Sequence, residues 1–71
     1  MDKELRIKLL VILQYTLEDY DKYKAKGAEY YSEVRYNWGR ITLIADIFDL
    51  KWDTENEDSE EYLKKIRTLL D

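Results

Sequence analysis

Apolar residues recur at helical spacing along this chain, and on the longest patterned segment they do so on two sides at once. Wound at about 100° per residue, Tyr30 to Leu50 shows two apolar stripes. One is Tyr31, Val34, Trp38, Ile41, Ala45 and Phe48. The other, nearly opposite, is Tyr36, Leu43, Ile47 and Leu50. A helix at the surface of a small protein needs one such stripe. Two stripes predict a helix, over residues 28–50, with apolar neighbours on both sides. Gly39 lies beside Tyr36 and Leu43 on the second stripe. It costs about 1 kcal/mol relative to alanine, and it leaves room for another helix to approach closely.

The segment before it has the same double pattern. Leu5, Leu9, Leu13, Leu17 and Tyr20, with Thr16 beside them and Tyr23 beyond, form one stripe of a helix over residues 2–26. Ile7, Val11 and Tyr15 lie almost opposite. Lys22, Lys24 and Lys26 occupy the last turns, where cations suit the negative end of the helix dipole, and Gly27 stands where a glycine cap belongs. The polar stretch KWDTENE, residues 51–57, reads as a loop around Trp52. Asp58 or Ser59 can cap a third helix, since Asp58-Ser-Glu-Glu61 has the form of a capping box. That helix has a single apolar face of Tyr62, Leu63, Ile66, Leu69 and Leu70.

These patterns predict one small all-α domain over residues 1–71. The first two helices form an antiparallel hairpin, and a short C-terminal helix is added to it. The competing arrangement is α+β, helix–β-hairpin–helix. Tyr30, Ser32, Val34, Tyr36, Trp38 and then Ile41, Leu43, Ala45, Ile47 also alternate at period two, and Asn37-Trp-Gly39-Arg can be read as a turn between strands. The length of the helical pattern and the unstrand-like Ala-Asp-Ile-Phe-Asp-Leu end favour the helix.

Composition then narrows the chemistry. With 71 residues the core is small, and small folds lean on a disulfide, a metal or a second subunit. There is no cysteine and no histidine. Disulfides and thiolate metal sites are excluded, and the commonest metal ligand and general base are absent. Of the usual supports, self-association stays open. The unburied stripe therefore predicts a homodimer with a seam of Tyr36, Gly39, Leu43, Ile47 and Leu50, joined by Ile7, Val11 and Tyr15. Asp2, Lys3 and Glu4 crowd the N-terminus, and the apolar run Leu9 to Leu13 is too short for a signal core or a membrane span. A cytoplasmic protein without a membrane partner is the expectation.

Charge is unevenly spread. Between residues 46 and 61, eight carboxylates face Lys51 alone, a local balance of −7 in a chain whose net charge is −4. They are Asp46, Asp49, Asp53, Glu55, Glu57, Asp58, Glu60 and Glu61. Carboxylates spread over a loop and a helix start can imitate a phosphate track, and Trp52 among them has the character of a binding anchor. The plainer reading is a solvated loop leading into a capped helix, with Trp52 packed beneath it. Asp53, Glu55 and Glu57 alternate as calcium ligands do, but a calcium loop wants glycine at its sixth position and a bidentate acid at its twelfth. Asp58 and Lys64 stand there instead, so no metal and no cofactor are expected. No phosphate loop, serine elbow or nucleophile–base pair is legible, so no catalytic residue is assigned. Arg35 and Arg40 among tyrosines fit nucleic acid, yet the acidic segment precedes the helix that would enter a groove and would be repelled by phosphate. Direct nucleic-acid binding is therefore disfavoured.

The run Tyr31-x-x-Val34-x-Tyr36-x-x-Gly39-Arg40, followed by Ile41-x-x-Ile44-Ala45-x-Ile47-Phe48, resembles a helix of short helical-hairpin proteins from Gram-positive bacteria and their phages. The resemblance spans about residues 5–50 and brings no catalytic residue with it. Some small acidic phage proteins block host enzymes. The resemblance thus implies a non-enzymatic interaction protein of phage or mobile-element origin in a bacterial or infected bacterial cell, one that binds and inhibits a host or defence protein through its acidic surface or its apolar helix face. The alternative is a small DNA-binding or co-regulatory transcription factor.

Overall fold

Asp2 opens the first helix by accepting a hydrogen bond from the Glu4 amide at 3.3 Å. In the computed structural model, which describes residues 1–71, α1 then runs Lys3–Lys26, α2 runs Tyr31–Ile47 and α3 runs Ser59–Thr68. No strand forms, and the helix–β-hairpin–helix alternative is not adopted. The residues read as a possible β-turn sit inside α2. Asn37 turns its amide back to the Glu33 carbonyl at 2.9 Å, four residues earlier, and Gly39 keeps a negative φ.

Gly27 ends α1 with φ 106°, a conformation costly for any residue with a Cβ. A 3₁₀ turn, Ala28–Tyr30, then reverses the chain, so α2 proper begins three residues later than the periodicity implied. The two helices lie antiparallel. Tyr23 and Tyr30 stack beside the turn at 5.5 Å, and at the other end Arg6 lies over the Phe48 ring at 5.4 Å.

α2 stops at Ile47 rather than Leu50. Asp49 adopts φ 61° and its amide donates to the Asp46 carbonyl at 3.0 Å, while the Leu50 amide donates to Ala45 at 2.9 Å. This is a Schellman close, with aspartate in the left-handed position that glycine usually fills. It turns Leu50 inward, half-buried against the core. Leu50 therefore leaves the outer stripe where the sequence pattern placed it.

The core joins three side chains from each helix: Leu13, Leu17 and Tyr20; Ile41, Ile44 and Ala45; Tyr62, Leu63 and Ile66. Thr16 and Asn37 are buried with them, each donating to a carbonyl of its own helix. Leu5 and Tyr31, expected on core-facing stripes, lie in the first turns of their helices, outside the core, and are exposed.

α3 covers one side of the hairpin. Asp58 caps it by accepting from the Glu61 amide at 2.7 Å. Arg67 holds Asp21 of α1 with two bonds of 2.9 and 3.0 Å. The Tyr62 hydroxyl donates to the Leu50 carbonyl at 3.0 Å. Trp38 of α2 meets Tyr20, Trp52 and Tyr62 at ring separations of 5.8, 5.5 and 6.0 Å, which closes the seam between helices and loop. No helix of the chain is long and apolar enough to cross a membrane.

Candidate interaction surfaces

Helical geometry decides which side of the hairpin α3 leaves open. α3 meets α1 where Arg67 holds Asp21, and meets α2 where Tyr62 packs on Trp38. Residues two apart on a helix point about 200° from one another. Asp19 and Arg40 therefore look away from α3, and with Tyr23, Glu33, Tyr36 and Asn37 they line an open groove of about 400 Å³ between α1 and α2.

The apolar residues on this uncovered part of the molecule are conspicuous for their exposure. Tyr36, Leu43 and Ile47 on α2, and Ile7, Val11 and Tyr15 on α1, are between 44% and 66% exposed. Leu5 and Ile12 add to them. Gly39 is exposed as well, and a Cβ built on it would meet no atom within 4 Å. Arg40 lies over the Tyr36 ring at 5.6 Å and Arg35 over the Tyr31 ring at 5.7 Å; neither forms an ion pair within the chain.

The acidic segment divides into two sets. Asp53, Glu57 and Asp58 do structural work inside the chain. The Asp53 carboxylate accepts from the Asn56 side chain at 2.7 Å and from the Glu55 amide at 3.0 Å, and these bonds hold it below the ordinary aspartate value. Glu57 is half-buried and paired with Lys65, whose ammonium it pushes up from its ordinary value. Asp58 is the α3 cap described above. The carboxylates of Asp46, Asp49, Glu55, Glu60 and Glu61 are exposed and take no hydrogen bond or ion pair within the chain. No three acidic side chains converge to hold a metal ion.

Trp52 belongs to both descriptions. Its ring stacks on Tyr62 at 5.8 Å and its Nε1 donates to the Glu57 carbonyl at 3.4 Å, while 38% of the residue stays exposed. Thr42, Asp46 and Lys51 stand around it in a shallow groove. Burial pushes the Tyr62 hydroxyl above its ordinary value, with the charges of Asp46 and Glu57 adding to that.

Asn37 and Ile44 are the residues that sequence patterning passed over. Both fall between the two stripes of α2, on the arc that faces α1, and an asparagine gives no apolar signal. Ser32 also lines the α1–α2 groove. Comparison with known proteins finds no matching family model, no matching curated protein and no matching solved structure.

Proposed function

We propose that this chain is a non-enzymatic protein-interaction module that works as a homodimer, with the outer face of α2 as its main contact surface and the outer face of α1 flanking it. One observation carries the reading. Tyr36, Leu43 and Ile47 stand exposed along one side of α2, beside a glycine with empty space above it. Contiguous exposed apolar patches mark interaction sites, and a chain with nine buried apolar residues has little core of its own to rely on.

Concentration-dependent amide NMR spectra test this reading. Resonances of Tyr36, Gly39, Leu43 and Ile47 are expected to move between micromolar and millimolar protein, while those of Glu60 and Lys64 on α3 stay fixed. Shifts confined to α3, or none at all, contradict it.

The acidic segment offers a second surface, supported by the five exposed carboxylates that have no internal partner and by the exposed edge of Trp52. It suits a partner with a basic groove. Inhibition of a host or defence protein by a phage or mobile-element protein is the concrete form of this reading, and it rests on the resemblance of residues 31–48. Replacing Glu55, Glu60 and Glu61 with glutamine is expected to weaken capture of a basic partner and leave the fold intact. The transcription-factor alternative draws on Arg35 and Arg40, but both guanidiniums are laid over tyrosine rings. In addition, residues 48–58 separate α2 from α3, far more than the three or four of a helix-turn-helix.

A further inference from the structure

The homodimer reading leaves open how two copies meet, and α2 carries a charge pattern that bears on it. Arg35, Gly39, Thr42 and Asp46 are spaced four, three and four residues apart, which places them in one row along the helix. The row is basic at its N-terminal end, empty of side chain near its middle and acidic at its C-terminal end. The apolar row Tyr36, Leu43 and Ile47 runs beside it. Arg35 and Asp46 are about 16 Å apart along the axis, so they cannot satisfy each other, and neither forms an ion pair within the chain, Arg35 lying over the Tyr31 ring and Asp46 bordering the groove beside Trp52.

Asp46 also breaks a local rule. It sits in the last turn of α2, where a carboxylate opposes the helix dipole and no basic residue offsets it. Departures from local preference concentrate at sites with another role.

Resting on the homodimer reading, we infer that two copies pack α2 against α2, antiparallel, about a two-fold axis near Gly39 and Arg40. In an antiparallel pair each flanking row meets its own copy running the other way. Arg35 of each chain then meets Asp46 of the other, twice over, and Tyr36 of each chain lies on Leu43 of the other. Gly39 stands near the crossing point and lets the backbones approach. A parallel pair could not bring the two charges together, because they stand at opposite ends of the row. The occupant of this face is a second copy because the row is complementary in sign to itself when reversed.

Charge exchange tests the register. Arg35→Glu and Asp46→Arg each put like charges at two places in the seam and are expected to raise the dimer dissociation constant by about tenfold to a hundredfold. Mixing the two variants restores opposite charges at both places, so the mixture, like the double variant, is expected to dimerise close to the unmodified chain. Both substitutions suit the dipole of α2 better than the native residues do, and circular dichroism checks that the helices persist. If the unmodified chain dimerises and the reversals change nothing, the register is wrong and the homodimer stands. If the unmodified chain sediments as an 8.7 kDa species at every concentration, the homodimer fails and the register falls with it.

Discussion

The two sides of the α1–α2 hairpin use similar residues to opposite ends. On the side that α3 covers, Tyr20, Trp38, Trp52 and Tyr62 form one aromatic cluster, and the chain's two ion pairs, Arg67 with Asp21 and Lys65 with Glu57, stand beside it. Across the rest of the hairpin surface, Tyr15, Tyr36, Leu43 and Ile47 stay exposed, and Arg35 and Arg40 lie over tyrosine rings without a carboxylate partner. The difference lies in how much chain is available to cover each side. One ten-residue helix supplies three buried side chains and can close only one of them. Aromatic and aliphatic content thus says little about a surface until its neighbours are counted.

The largest effects are expected on the covered side. Trp38→Ala removes the ring that touches three others, and a loss of about 3–5 kcal/mol in urea unfolding would be typical of such a truncation. A loss under 1 kcal/mol would mean that the cluster contributes little. Leu43→Glu, on the open side, is expected to leave monomer stability within about 0.5 kcal/mol while weakening self-association by about a hundredfold. That pair of substitutions separates folding from association most sharply.

A smaller change sharpens the boundary between the two sides. Asp49 holds a left-handed conformation at the close of α2. Asp49→Gly is expected to stabilise the chain by about 0.5–1 kcal/mol, read as a higher melting temperature. Destabilisation would mean that the aspartate side chain itself holds the turn.

The smallest effect concerns pH. Burial raises the Tyr62 pKa, so the folded state keeps its hydroxyl protonated after the unfolded chain has begun to lose that proton. Its contribution to stability is fully present below the ordinary value of 10.0 and declines as pH rises beyond it. Lys65, also raised, adds a loss in the same alkaline range. Tyr62→Phe is expected to flatten part of the stability decline above pH 10.0, measured by thermal unfolding across that range. An unchanged slope would place the decline elsewhere.

Much of this architecture was legible in the sequence. Gly27 marked the end of α1, Asp58 marked the start of α3, and the doubled stripes marked both long helices. Asp49 hid the end of α2, because a Schellman close is recognised by glycine and here an aspartate makes the turn. Asn37 and Ile44 escaped because the core-facing arc of α2 is wider than its first stripe and extends past it toward α1, where an asparagine gives no apolar signal. Trp52 could not be divided between anchor and core from composition alone, and the structure shows it outside the core, stacked on Tyr62 with 38% of the residue exposed. The candidate surfaces were harder to read, since exposure depends on what α3 reaches. Leu50 looked like part of the outer stripe until the chain turned at Asp49 and carried it inward.

The most direct measurement is sedimentation equilibrium of the unmodified chain and Leu43→Glu, side by side from about 1 to 500 μM, a range that brackets the association constants of modest interfaces. The account predicts that the unmodified chain rises from 8.7 kDa toward twice that mass while the variant stays near 8.7 kDa. A single 8.7 kDa species for both, or equal dimerisation of both, would contradict it.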